Sequence, residues 1–151
     1  GKGRAHRRLQ REARGVCHRK GLRRMIDLRS AVKSGRPNQY LVAPDGYLAG
    51  ETADEVSPVF SRSPAEVLEA LVALLKTRSG LEDLEVDEAL GRIAYVARVF
   101  VFKDDVDIAV TEEDGGTGLV VFSRSRVGHS DLGVNRRRVR TLLSDLADKL
   151  S

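Results

Sequence analysis

The stretch from Ser123 to Arg138 holds the densest group of side chains in this chain that could do chemistry. Its sequence, SRSRVGHSDLGVNRRR, combines arginines and serines with two glycines, and it leads into an apolar-periodic segment that predicts a helix. Guanidinium groups, hydroxyls and the N–H groups of a helix start are donors that suit an anion or a carboxylate. We therefore predict a ligand-binding loop formed by Arg124, Ser125, Arg126, Gly128, Ser130, Asp131, Gly133, Asn135 and Arg138.

A structural interpretation of the same loop stays open. Asp131 or Asn135 could cap the last helix, and the arginines could pair with carboxylates around the sheet edge. Arg98 lies within an apolar strand and needs a carboxylate partner, for which Asp107 or Asp105 is the candidate. We predict a supporting network of Arg98, Asp104, Asp105 and Asp54.

An enzyme is the alternative to a binding domain. His129 and Asp131, together with Ser130, could act as general base, orienting acid and nucleophile on an anionic substrate. The sequence has no Gly-x-Ser-x-Gly elbow, no His-Glu-x-x-His motif and no cysteine cluster, which are the patterns typical of hydrolases and zinc sites. We therefore predict a non-enzymatic domain without metal or cofactor, and a hydrolase using His129 and Asp131 as the alternative.

The positive charge of the chain is concentrated at its start. The 151 residues carry +4 in total and residues 1–24 alone carry +9, so the remaining residues carry −5. Charge of this density with few apolar residues predicts a disordered basic leader, which could associate with nucleic acid by itself. Two alternatives are an organelle presequence and a natural translation start at Met25. For the acidic remainder, residues 25–151, we predict no nucleic-acid binding.

The composition argues against a disulfide, a membrane span and a secretory signal, and these three points guide the predicted location of the protein. Cys17 is the single cysteine, so no intrachain disulfide can form, and no apolar run approaches the roughly 18–20 residues of a membrane span. No apolar secretory core follows the arginines. We predict a cytoplasmic protein whose partner is an anionic small molecule or a partner protein.

Two amphipathic helices are predicted. Ser63-Pro64-Ala65-Glu66 combines an N-cap serine, a proline at the first helical position and a glutamate that can close a capping box. Apolar residues recur with a helical period from there to about Arg78. The second helix begins at about Asn135 and repeats this spacing.

Strands are predicted between the helices. One runs from Arg92 to Phe102, and after a turn at 103–105 a half-buried strand alternates through 106–110. Asp114-Gly115-Gly116 then reverses the chain into a strand over 119–124. A weaker strand lies near 84–86, and the turn-rich segment 36–58 can hold short ones. We predict one α+β domain over 25–151, an antiparallel meander of three to five strands with two helices packed on one face.

The segment Ser123–Arg138 resembles the hallmark of the domain-of-unknown-function family 1499. Three further stretches are similar to recurring parts of that family: RPNQYLVAP from Arg36, ADEVSPVF from Ala53 and FVFKDD from Phe100. The resemblance covers about residues 36–150. It implies membership of a family that has no assigned activity, and it carries no catalytic residues over to this chain.

Overall fold

The computed structural model describes residues 25–31, 33–50, 52–128 and 130–151. The predicted leader, residues 1–24, and His129 lie outside these ranges. The elements, in chain order, are a short 3-10 helix Leu28–Ser30, β1 Gln39–Ala43, β2 Glu55–Val56, α1 Pro64–Lys76, β3 Leu81–Asp87, β4 Arg92–Val99, β5 Phe102–Glu113, β6 Gly116–Ser125 and α2 Val134–Leu150.

The strands form one six-stranded sheet in the order β2-β1-β6-β5-β4-β3. The α+β class is confirmed, and β3 to β6 form the predicted antiparallel meander. The predicted sheet of three to five antiparallel strands is wrong in size and type, because β1 adds to the free edge of β6 and β2 then pairs with β1 in parallel. The pairing of β1 with β6 joins distant parts of the chain, and two-residue β2 has no periodicity that a sequence could reveal.

The turn between β4 and β5 lies earlier than predicted. Val99 pairs with Phe102, so the reversal consists of Phe100 and Val101, and the three residues 103–105 belong to β5. The apolar run over 99–102 has the composition of a continuous strand and lacks the Asn-Gly or Gly signal of a tight turn. Phe100 meets the geometry of the turn with a φ of +55°, in the left-handed region that favours glycine.

Strand β3 forms one edge of the sheet and is irregular. The register of its pairing with β4 shifts between Glu82 and Glu85, and Asp83 at that bulge has a φ of +54°. The strand predicted weakly near 84–86 is therefore present and longer than predicted.

The start of α1 is built as the sequence predicts. The Ser63 hydroxyl accepts a hydrogen bond from the Glu66 backbone N–H at 3.2 Å, and it lies 3.2 Å from Glu66 Oε1. Pro64 occupies the first helical position, where a missing N–H costs nothing. None of the described helices combines the length and the apolar composition that crossing a bilayer requires.

Both faces of the sheet are covered. The helix face packs against α1 and α2, with Leu71, Ile93, Ile108 and Leu146 among its fully buried side chains. The opposite face packs against the segment 26–53, which contributes Leu28 to a smaller apolar cluster. Side chains alternate between these two faces along each strand. Charged residues at neighbouring positions of one strand therefore lie on opposite faces of the sheet.

Candidate functional site

Asn135 is the centre of the predicted loop on the helix face. Its side chain is fully buried, accepts a hydrogen bond from the Ser123 hydroxyl, and places its Nδ2 atom 3.0 Å from Ser125 Oγ. The same nitrogen lies 3.0 Å from the Asn38 carbonyl oxygen and 2.6 Å from an Asp131 carboxylate oxygen. This amide joins the residue before β1, the end of β6 and the start of α2 at one point, so its polar groups are occupied within the fold.

Asp131 caps the start of α2. Its carboxylate accepts hydrogen bonds from the backbone N–H groups of Gly133 at 2.8 Å and Asn135 at 2.9 Å. Burial raises the pKa of the Asp131 carboxyl, but the hydrogen bonds from Asn135 and Gly133 outweigh burial and hold that pKa below its ordinary value. The capping role considered for Asp131 or Asn135 is therefore carried by Asp131.

Replacing Asp131 with alanine is expected to lower the free energy of unfolding by about 1–2 kcal/mol at pH 7, because two helix-start N–H groups lose their acceptor. A carboxyl whose pKa is depressed by folding contributes its stability well above the unfolded value of 3.8, and this contribution is lost as the pH falls through the folded value. Urea titrations should show the difference between D131A and the native chain shrinking below pH 3.8. D148A, at an exposed position late in α2, should stay within about 0.5 kcal/mol of the native chain at each pH.

Arg138 crosses from α2 to the sheet on the helix face. Its guanidinium lies 2.8 Å from the nearly buried Asp104 carboxylate, 3.1 Å from Ser123 Oγ and 2.9 Å from Asn135 Oδ1. A charge held this far from water is stabilised by a paired opposite charge and by further hydrogen bonds.

The other arginines of the loop lie on the opposite face. Arg124 Nη2 lies 2.8 Å from Asp107 Oδ2, and Arg126 makes two hydrogen bonds to Asp105 at 2.9 and 3.1 Å. The Asp107 side chain is fully buried and also faces Arg92, whose Nη2 atom is 3.6 Å from Oδ1, too long for a hydrogen bond. The three arginines at 124, 126 and 138 therefore each have a carboxylate partner on β5.

The remaining predicted positions are not gathered into one site. The Gly128 carbonyl accepts a hydrogen bond from Asn38, and Ser130 Oγ accepts a long one, 3.4 Å, from the Leu132 N–H. Asp54 lies elsewhere, where its carboxylate accepts from the Lys33 ammonium and the Leu41 N–H.

The predicted partner of Arg98 is wrong. Its guanidinium lies 3.1 Å from Glu82 Oε1 on β3 and also donates to the Phe100 carbonyl. The reason is the register: Arg98 stands opposite Lys103, while Asp107 pairs with Arg124 of β6 and Asp105 pairs with Arg126 just after β6.

The contacts of Asp131 bear on the enzyme alternative. Both oxygens of Asp131 accept hydrogen bonds from the start of α2, so the helix cap by itself accounts for this carboxylate. The base itself, His129, lies outside the described residues. Within the described ranges, no three His, Cys, Asp or Glu side chains gather as a metal site requires.

A cavity of about 340 Å³ lies beside the loop, between the end of α1, the start of β3, the end of β4 and the first turns of α2. Leucine, alanine and valine side chains form its apolar wall, while arginines and hydroxyl groups form its polar part. Its lining comprises Leu75, Arg78, Ser79, Gly80, Leu81, Tyr95, Ala97, Val134, Arg137, Arg138, Thr141 and Leu142. Arg138 is the one predicted site residue among them.

Tyr95 brings a polar group to this cavity from the buried sheet. The residue is 4% exposed, and its hydroxyl makes no hydrogen bond to any residue in the described ranges, unlike Tyr40, whose hydroxyl donates to Glu55. Burial raises the pKa of Tyr95 to about 12, although Arg138 and Arg78 act in the opposite direction. At neutral pH the hydroxyl is therefore protonated and can donate a hydrogen bond.

Two of the cavity arginines are already paired and one is not. Arg78 pairs with Asp145 of α2, and Arg138 pairs with Asp104. Arg137 is exposed, donates to the Leu132 carbonyl at 2.9 Å and has no carboxylate partner in the described part of the chain. Arg78, Tyr95 and Arg137 were not predicted, because a helix end, a strand interior and a helix start share no sequence spacing.

Comparison with known proteins places this fold in a family. A family model described as "Protein of unknown function (DUF1499)" matches residues 27–146. The chain belongs to the DUF1499 family. The resemblance drawn from the sequence is therefore confirmed, and the matched residues include the loop, the lining of the cavity and α2 as far as Leu146.

The DUF1499 fold is similar to that of a solved bacterial protein. The crystal structure of protein CV1439 from Chromobacterium violaceum matches with a TM-score of 0.50 and 14% sequence identity, covering 76% of this chain and 97% of that chain. At this identity the likeness concerns the fold alone. No curated protein shows significant similarity to the chain.

Proposed function

We propose that this DUF1499 domain is a non-enzymatic binding module that holds an amphipathic anionic small molecule in the cavity beside α2. The observation that carries the proposal is the Tyr95 hydroxyl, a donor that reaches the cavity from a nearly buried residue and has no hydrogen-bond partner in the described part of the chain. A donor that the protein leaves unpaired at the wall of a cavity is suited to an acceptor atom of a ligand.

The charge around the cavity favours an anion. Arg137 stands at the rim without a carboxylate partner in the described ranges, and the guanidinium groups of Arg78 and Arg138, although paired with Asp145 and Asp104, also line the cavity. Leu75, Leu142 and other apolar side chains on the wall would cover a hydrocarbon part of the ligand. A cavity of about 340 Å³ is at the small end of ligand sites, which favours a small molecule with one charged head.

This proposal moves the anion site from the loop to the cavity. Arg124 and Arg126 pair with β5 carboxylates on the opposite face. The Asn135 amide makes its hydrogen bonds within the fold. Of the predicted ligand-binding residues, Arg138 is the one kept. Nucleic-acid association of residues 1–24, a cytoplasmic location and a partner protein stay predictions.

Decanoate is a suitable probe, since it joins one carboxylate to a hydrocarbon chain. We expect it to bind the full chain and to raise the melting temperature, while decanol, which has the same chain without the charge, binds more weakly. R137A should weaken decanoate binding about tenfold, because a charge-assisted hydrogen bond contributes about 1.5–3 kcal/mol. Y95F, which removes the hydroxyl alone, should weaken it about threefold to tenfold.

Arg136 provides the matched control. It is the neighbouring arginine on α2, is exposed and does not line the cavity, so R136A should bind decanoate as the native chain does. Isothermal titration calorimetry gives the affinities, and thermal melting checks that every variant is folded. Equal affinities of R136A and R137A for decanoate, or no binding of decanoate by the native chain, would contradict the proposal.

A further inference from the structure

One end of the sheet carries most of the exposed apolar surface. The β4–β5 turn projects there, with Phe100 88% and Val101 79% exposed. Just after β6 ends at Ser125, the Arg126 N–H donates to the Lys103 carbonyl, so the exposed Val127 follows at this end of the sheet. Of the nine large apolar side chains that are exposed in the described ranges, six lie at this end: Val99, Phe100, Val101, Phe102, Val127 and Leu132.

The Phe100 side chain adds no buried contact to the fold. Phe100 adopts a φ of +55°, which glycine or asparagine tolerates far better than an aromatic residue, and its side chain is almost wholly exposed. A residue that is strained and also unburied contributes nothing to packing. Such positions are typical of sites where the side chain meets something outside the chain.

Cations accompany the apolar tip. Arg98 and Lys103 flank the turn on β4 and β5, and both lie within 3.5 Å of Glu82. Arg36 precedes β1 and Arg136 lies in the first turn of α2 at the same end, and neither has a carboxylate partner in the described part of the chain. Asp83 is an exposed carboxylate at this end. The two positive charges of Arg36 and Arg136 exceed its single negative charge.

We propose that this end of the domain docks on a lipid bilayer with anionic headgroups, inserting the Phe100-Val101-Phe102 tip below the headgroups. Aromatic and aliphatic side chains gain free energy at the boundary of the acyl region, and neighbouring arginines and lysines remain among the phosphates. An exposed apolar turn with cations near it can enter a lipid surface, which deforms around the inserted side chains. The inference is independent of the cavity ligand.

Single-tryptophan variants test the insertion directly, since the chain has no tryptophan. F100W reports on the tip and L90W reports on the exposed β3–β4 turn at the opposite end. With vesicles of phosphatidylcholine and phosphatidylglycerol, the emission of F100W should shift to the blue and be quenched by brominated acyl chains. The emission of L90W should do neither.

This depth readout is needed because residues 1–24 are strongly basic and attract the full chain to anionic vesicles by charge alone. Vesicle cosedimentation at raised salt, where that attraction is screened, separates the two contributions. There F100G should bind about tenfold more weakly than the native chain, because the inserted ring is lost. L90S should bind as the native chain does.

F100G also separates docking from folding. Glycine accepts the φ at this turn, so the melting temperature should stay within about 3 °C of that of the native chain. Quenching of L90W equal to that of F100W would overturn the proposal, as would equal binding of F100G and the native chain at raised salt. A dimer that F100G dissociates, without lipid quenching of F100W, would assign the tip to a second copy of the chain instead.

Discussion

Replacing Asp107 with alanine is expected to lower the free energy of unfolding by about 3–5 kcal/mol, because it leaves two guanidinium groups without their buried counter-charge. The Asp107 side chain is fully buried between Arg124, at 2.8 Å, and Arg92, at 3.6 Å. Burial already lowers the pKa of Arg92, while the carboxylate of Asp107 works against that effect. Urea denaturation at pH 7 measures the loss as a lower midpoint with an unchanged slope.

Two further variants define the cause of that loss. D107N keeps the shape and one acceptor for Arg124 but removes the charge, so its destabilisation should fall between those of the native chain and D107A. D105A removes the partner of Arg126, whose side chain is 41% exposed and stays hydrated, so the cost should be within about 1 kcal/mol. Equal losses in D105A and D107A would show that burial of the pair is not the cause.

Replacing Gly116 with alanine should destabilise the fold by about 4 kcal/mol or more, which places it in the exceptional range for one methyl group. A Cβ atom there would lie 1.9 Å from the Phe60 backbone oxygen and 2.8 Å from the carbon of that carbonyl. Phe60 also exchanges two backbone hydrogen bonds with Thr117, at 2.8 and 2.9 Å. The clash must therefore push away the segment that leads into α1 and break this bridge.

The adjacent glycine is the matched control for Gly116. Gly115 has a φ of +86°, but a Cβ atom added to it would meet nothing within 4 Å, so G115A should cost about 1–2 kcal/mol from backbone strain alone. Thermal melting of both variants, followed by circular dichroism, gives the comparison. A melting temperature of G116A at or above that of G115A would falsify the steric explanation.

The parts of the fold that local patterns encode were predictable. Ser63-Pro64 starts α1 through hydrogen bonds within four residues, and the glycines at 115 and 116 mark the β5–β6 reversal. The β4–β5 turn was misplaced because Phe100 takes a conformation that its residue type disfavours. The addition of β1 rests on long-range pairing with β6, which no local pattern describes, and two-residue β2 then pairs with β1.

The candidate site was predictable in the same limited sense. Strand alternation correctly separated Arg124 and Arg126 from Ser123 and Ser125, and it also sent Asp104 and Asp105 to opposite faces. Which carboxylate neutralises which arginine depends on the register of β5 against its neighbours, and that register follows from the position of the misplaced turn.

The bulged strand β3 affects how copies of the chain meet. A regular edge strand offers a row of unpaired N–H and C=O groups onto which another molecule can add its own strand. Here the positive φ of Asp83 twists that row out of line, and Asp83 places an exposed carboxylate at the bulge. A second copy therefore finds no continuous row to extend, so the molecule can expose the apolar β4–β5 tip nearby without growing into β-linked fibres.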